Sequence, residues 1–318
     1  MSKIKQFILE DLKYRGEVGF WTAKAANEIY SMISNRGGTK NAIDRKYQRV
    51  FGRKVDWDNP KTLNEKIQWL KVYGFKDFHT TVADKYRMRN YLHEKFGNDN
   101  YQIPVFYTTD NWRDITLDVI PDEPCVVKAN HTQGDVWIIR DKTKVDIKKL
   151  RTDCRWALKK NVKSSQEPQY AGIKPLILIE KLLLTADGYV PNDYKLHFFN
   201  GELQFVYCSV GRETINKRNI YDANWKPLKF TWSEKFKDPS TLRGPEIPAP
   251  QSFNKMKELG SIIARDFPYV RVDFYDVDGS LYFGEITLHH GSGLDVFTPG
   301  EYDMIYGNKL KLTESLSD

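Results

Sequence analysis

The sequence predicts an α+β protein. Helical segments come first, hairpins interleaved with helices follow, and two turns carry the dipeptides that antiparallel pairing favours. Asn200-Gly201 divides DYKLHFFNGELQFVYCSV (193–210), and Asp278-Gly279 divides VRVDFYDVDGSLYFGEITL (270–288). Both dipeptides suit the positive-φ positions of a tight hairpin.

Residues 1–58 read as helical and basic, with Ile4, Phe7, Ile8 and Leu12 at helical spacing. Such a segment packs on its own domain or lies on a membrane or partner surface. Thr62 followed by Glu65 is a capping box, and the helix KIQWLKVY follows it. A second helix is expected over 82–96, stopped at Gly97. Strand composition appears in QIPVFYTT (102–109), PCVVKAN (124–130), VWIIR (136–140) and the apolar PLILIEKLLL (175–184). Helices are expected over 144–162 and 252–267, and the Pro-containing stretch 237–251 reads as a surface loop.

The 318 residues carry a net charge of +7, which favours anionic partners such as nucleotides, phosphates and acidic sugars. The cations are spread without a dense run, and no nucleic-acid signature is present, so no nucleic-acid partner is expected. Cys125, Cys154 and Cys208 fit neither a zinc ribbon nor a disulfide framework and read as buried thiols in a reducing compartment. Glu10 and Asp11 interrupt any signal-like apolar run. No stretch approaches the roughly 18–20 apolar residues of a spanning helix. A cytoplasmic protein is expected, with the N-terminus a candidate for peripheral contact at the inner membrane face.

The chemistry concentrates in RVDFYDVDGSLYFGEITLHHGSG (271–293). Alternation puts Arg271, Asp273 and Tyr275 on one strand face, and Glu285 with Thr287 on one face of the partner strand. Folding at Asp278-Gly279 brings Asp273 towards Glu285, which is costly unless a cation lies between them. Two carboxylates plus substrate phosphates is the usual holder of Mg²⁺; the alternative reading is two exposed carboxylates on a wet strand face. Lys128 follows an apolar strand and precedes a small polar loop, 130–135, of the kind that presents backbone N–H groups to phosphate. Glu180 ends the apolar run and precedes Lys181, Leu182 and Leu183, a segment suited to framing an adenine edge. Arg212 and Arg218 form a basic turn able to hold a carboxylate by bidentate contact.

The order DK (84–85), VVK with its polar loop (126–135), IEK (179–181), DYK (193–195), RVD (271–273), GEIT (284–287) and GSG (291–293) resembles the ATP-grasp superfamily. More narrowly it resembles the TupA-like ATP-grasp group of bacterial surface-polysaccharide and teichuronopeptide gene clusters, from about Asn59 to about residue 305. The resemblance implies two α+β subdomains with antiparallel sheets gripping ATP, preceded by a helical region. The implied division is 1–58, 59–122, 123–185 for the small subdomain and 186–318 for the subdomain with the metal site. It implies ATP and Mg²⁺ as cofactors. Lys85 and Lys128 would bind nucleotide phosphate, and Glu180, Lys181, Leu182 and Leu183 would hold adenine with Asp187 near the ribose. Lys195 would face the transferred phosphoryl group, and Arg271 would stabilise the acyl phosphate. Asp273 and Glu285 would bind metal. Thr287 stands where many members have asparagine, and its hydroxyl is a weaker ligand. His289, His290 and Ser292 stand in the loop at the acceptor site, in contact with substrate or solvated. The implied reaction joins the carboxylate of a sugar acid, or another carboxylate, to an amine or amino acid.

Three other readings are compatible with parts of the pattern. Asp276-Val277-Asp278 is a D-x-D motif of the kind glycosyltransferases use. A sugar kinase would use the same metal site, and a nucleotide-binding scaffold of a polysaccharide assembly would need no chemistry.

Overall fold

The structure, a computed structural model, describes residues 11–312 apart from 212, 214, 215 and 235–238. Ile4, Phe7, Ile8 and the candidate Arg212 therefore lie outside the described residues. The N-terminal region is helical as expected, through α1 (Gly16–Ser34) and α2 (Gly38–Phe51). Helix α3 (Leu63–Tyr73) opens on the capping box: Glu65 N donates to the Thr62 hydroxyl, and Thr62 N donates to the Glu65 carboxylate at 3.0 Å.

The helix expected over 82–96 is two helices, α4 (Phe78–Ala83) and α5 (Met88–Phe96). The break has a polar cause. Asp84 is buried, and its Oδ1 accepts from Tyr86 N and Asn130 Nδ2, both at 2.9 Å. Lys85 N donates out of the helix to Asn130 O at 3.2 Å. An aspartate that captures nearby backbone N–H groups competes with helical bonding. Gly97 ends α5 in the left-handed region, φ 70°.

Strands β1 (Val105–Thr109), β2 (Cys125–Ala129) and β3 (Val136–Ile139) follow. Next come α6 (Ile147–Lys159), β4 (Ile177–Lys181), β5 (Asp193–Phe199), β6 (Glu202–Val210), β7 (Lys217–Tyr221) and β8 (Thr231–Ser233). The short α7 (Pro239–Leu242) lies within the stretch expected to be loop. The chain continues through α8 (Phe253–Ala264), β9 (Tyr269–Val277), β10 (Ser280–Thr287), β11 (Val296–Thr298) and α9 (Glu301–Lys309). Asn200 and Gly201, at φ 49° and 86°, and Asp278 and Gly279, at 52° and 91°, make both expected turns.

Two compact units result: Met1–Ala42, Asp84–Tyr86 and Ile103–Leu182 form the first, and Ile43–Ala83, Arg87–Gln102 and Leu183–Asp318 the second. The first holds an antiparallel sheet in the order β1-β4-β2-β3. Its core joins Cys125, Val127, Ile177 and Ile179 to Leu150, Cys154 and Ala157 of α6. Phe20 and Ala23 of α1 pack with Trp156. The second unit holds a five-stranded antiparallel sheet in the order β10-β9-β5-β6-β7. Alternation divides its strands cleanly. Leu196, Phe198, Val270, Val272 and Phe274 pack with Met256, Leu259 and Ile263 of α8. Residues of the opposite parity, among them Phe199, Phe205 and Tyr269, pack with Leu63 and Ile67 of α3 and Tyr306 of α9. All three cysteines are free and buried.

Candidate functional site

In the second unit the polar residues of β5, β9 and β10 meet around one guanidinium. β5 and β9 pair antiparallel with Lys195 opposite Asp273 and His197 opposite Arg271. Arg271 is buried and donates from Nε to Asp273 Oδ1 (2.7 Å), from Nη2 to Asp273 Oδ2 (2.7 Å) and to Glu285 Oε1 (2.6 Å), and from Nη1 to His290 Nδ1 (2.9 Å). Lys195 Nζ donates to Asp273 Oδ2 at 2.9 Å and also to Asp193. The hairpin thus brings Asp273 and Glu285 together as expected, and the cation between them here is the Arg271 side chain. Burial works against the Arg271 charge, but Asp273 and Glu285 outweigh it and hold the guanidinium pKa above its usual value. Burial likewise opposes the Lys195 charge, and Asp193 with Asp273 overcomes it. Burial pushes the Asp273 carboxyl up, against the pull of Arg271 and Lys195. With both cations in direct contact, the carboxylate form is the one the geometry serves.

Glu285 stands at an irregularity. The β10–β9 register shifts between Phe283 and Ile286, so Gly284 and Glu285 form a bulge opposite Asp273. A Cβ on Gly284 would lie 3.1 Å from the Asp273 carbonyl oxygen and 3.3 Å from its Cβ. Glycine there permits the close approach of the two strands. Thr287 Oγ1 donates to Glu285 Oε1 at 3.2 Å, so its hydroxyl orients the carboxylate.

His289 and His290 are buried, which removes the solvated alternative. Because an arginine can only donate, His290 Nδ1 accepts and its proton sits on Nε2, 3.4 Å from Asp295 Oδ2. Burial lowers its pKa to about 4, with Asp295 opposing. Its ring lies 4.3 Å from the Trp232 ring and 4.9 Å from that of His197. Ser292 takes a left-handed φ of 56°, and its hydroxyl and carbonyl oxygens both accept from Lys71 Nζ at 2.6 Å. Gln68 Nε2 donates to Gly293 O at 2.8 Å, so α3 holds this loop. Arg218 lies on β7, its guanidinium 5.9 Å from the Tyr207 ring.

The D-x-D carboxylates are spent on structure. Asp276 accepts from Ser252 N (2.9 Å), Ser252 Oγ (2.5 Å) and Gly279 N (2.8 Å), and Asp278 accepts from Ala186 N (2.7 Å). They brace the start of α8 and the hairpin turn, which disfavours the glycosyltransferase reading.

In the first unit Lys128 forms an ion pair with Glu180, its near neighbour on the adjacent strand. Lys85 Nζ donates to Thr132 O at 2.8 Å, on the polar loop that the sequence singled out. Thr132 Oγ1 is buried with no hydrogen-bond partner among the described residues, a polar atom suited to a ligand. Lys181 N and Leu182 N donate to Pro104 O (2.9 Å) and Pro124 O (3.0 Å). Contact with a base at these two residues would therefore use their carbonyl oxygens. Leu183 is buried, and Asp187 lies in an exposed turn.

Among the described residues no three His, Cys, Asp or Glu side chains converge as a metal cage. The donor set nevertheless suits Mg²⁺. Asp273 and Glu285, both reached by Arg271 Nη2, are hard oxygen donors, and Mg²⁺ keeps waters and shares phosphate ligands, so two carboxylates suffice. Sequence reasoning missed Asp193, His197 and Asp295. Asp193 shares a strand face with Lys195 and was legible from alternation; the other two act only through folded contacts.

No curated protein matches the chain. Among solved structures it is similar to D-alanine–D-alanine ligase from Bacillus anthracis (15% identity, TM-score 0.38, 72% of this chain and 59% of that one). It is also similar to the Helicobacter pylori enzyme (16%, TM-score 0.41, 78% and 69%) and to N5-carboxyaminoimidazole synthetase from Staphylococcus aureus (15%, TM-score 0.32, 65% and 44%). The chain thus spans about 59% of the length of the B. anthracis ligase. The family model for TupA-like ATP-grasp proteins matches residues 65–311. The chain belongs to the TupA-like ATP-grasp family.

Proposed function

We propose that this chain is a carboxylate–amine ligase acting through an acyl phosphate, and that its carboxylate substrate is a sugar acid of a bacterial surface polysaccharide. A substrate carboxylate oxygen attacks the γ-phosphorus of ATP and ADP leaves. An amine then attacks the acyl carbon, forming the amide and releasing phosphate. The observation that carries this reading is the Arg271 guanidinium held by Asp273 and Glu285 with Lys195 beside it. Phosphoryl transfer requires positioning and charge neutralisation more than covalent chemistry.

In this reading Asp273 and Glu285 hold Mg²⁺, with Thr287 orienting Glu285. The metal supplies neutralisation of phosphate charge. Arg271 and Lys195 stabilise the transferring phosphoryl group and the acyl phosphate. Four of the five N–H donors of Arg271 meet named acceptors, leaving one on Nη1 for a substrate oxygen. Lys85, Lys128 and the 130–135 loop bind nucleotide phosphates. Glu180 to Leu183 and Asp187 serve adenine and ribose. Arg212 and Arg218 bind the acidic substrate, which the +7 net charge favours. His289, His290 and Ser292 shape the acceptor side, His290 by holding Arg271.

A panel of sugar acids and amines, read by ADP release, tests the activity, and hydroxylamine trapping separates an acyl phosphate from a kinase's stable ester. Asp273→Asn and Glu285→Gln are each expected to lower turnover by about 10²–10³ while leaving the fold intact. Wild-type-like turnover in both variants refutes the metal assignment.

A further inference from the structure

The most conspicuous feature that the ligase reading leaves unused is the outward face of α1. This helix of 19 residues is about 28 Å long. Its inward residues Gly19, Phe20, Ala23 and Ser31 are buried. At 100° per residue Val18, Trp21, Ala25, Ile29, Met32 and Ile33 fall within one stripe on the opposite side. Val18 is 81% exposed, Met32 71% and Ile33 66%. An apolar stripe running the length of a helix on a folded surface marks an interaction site.

The rim of the stripe indicates what covers it. The acids of α1 are neutralised: Glu17 accepts from Arg155 at 2.5 and 2.8 Å, and Glu28 pairs with Lys24. Helix α6, packed beside α1 through Trp156 and Phe20, carries Lys148, Lys149, Arg151, Arg155 and Lys159. Lys159 lies 5.5 Å from the Trp21 ring. An amphipathic ring beside a cation at the edge of an apolar stripe fits the water–headgroup boundary of a bilayer. Self-association would set the same cations of two copies against each other, whereas anionic headgroups neutralise them.

We propose that the outward face of α1, with the cationic α6 at its edge, docks this protein on an anionic lipid bilayer. The surface lies wholly within the first unit and is independent of the ligase chemistry. No helix among the described residues is long and apolar enough to cross a membrane, so the contact is peripheral.

Flotation of the full chain with phosphatidylglycerol vesicles and with phosphatidylcholine vesicles tests this. Binding is expected only to the former and is weakened by added salt. Ile29→Glu with Met32→Glu is expected to weaken it by about tenfold or more, since each residue withholds buried apolar surface. Lys148→Glu with Lys149→Glu, at exposed positions, provides a second variant, also expected to weaken it about tenfold. Circular dichroism and thermal unfolding verify that both variants are folded. Absence of binding to phosphatidylglycerol, or binding unchanged in both folded variants, overturns the proposal. So does a concentration-dependent dimer in sedimentation that Ile29→Glu with Met32→Glu abolishes, which assigns the face to a second copy.

Discussion

Arg271 donates to two carboxylates and one imidazole, and each acceptor is buried or half-buried. Removing it leaves Asp273 and Glu285 facing each other without the intervening cation. Breaking a buried ion pair by deleting one partner costs about 3–5 kcal/mol. Arg271→Ala is therefore expected to lower unfolding free energy by about that amount in urea titrations. Arg271→Lys keeps the charge but loses the planar fork that spans Asp273, Glu285 and His290. It is expected to retain more stability than alanine while losing most turnover. Equal stability of wild type and Arg271→Ala would mean that the cluster contributes nothing to folding.

At the scale of elements, two glycines set how closely segments approach. On α8, a Cβ at Gly260 would lie 2.5 Å from the Phe198 ring on β5. Alanine gains about 1 kcal/mol of helix propensity, while overpacking costs about 1–3 kcal/mol. Packing wins, so Gly260→Ala is expected to lower the midpoint of thermal unfolding; a raised midpoint would show that α8 has room to shift. At the β10 bulge, Gly284→Ala presses on the Asp273 backbone. The expected result is a folded protein with turnover reduced about tenfold or more, because small misplacement of charged groups is costly in catalysis. Unchanged turnover would mean that the bulge does not position Glu285.

For the molecule as a whole, histidine burial sets the acid limit. Burial is the largest cause that holds His79, His131 and His290 at about pKa 4, and it takes His197 and His289 well below their ordinary value. In the unfolded chain these groups titrate near about 6.5. Between about 6.5 and 4 the unfolded state binds more protons, so stability falls as pH is lowered through that window. Each such histidine contributes a slope of about 1.4 kcal/mol per pH unit there. Thermal unfolding followed from about pH 7 to about pH 4.5 is expected to show a steep decline, and a flat midpoint would refute neutral burial of these rings.

The sequence by itself determined the hairpins, the capping box at Thr62 and the face on which Arg271 and Asp273 stand. Positive-φ turn dipeptides, local hydrogen bonds and strand alternation are properties of adjacent residues, legible without knowing what packs against them. It did not determine that the helix around residue 84 breaks, that His290 lies buried behind Arg271, or that Asp276 and Asp278 serve as braces. Those outcomes depend on Asn130, Asp295, Ser252 and Ala186, partners remote in the chain. Only tertiary structure decides which distant group satisfies a buried polar atom, because the cost of leaving it unsatisfied arises when folding removes it from water.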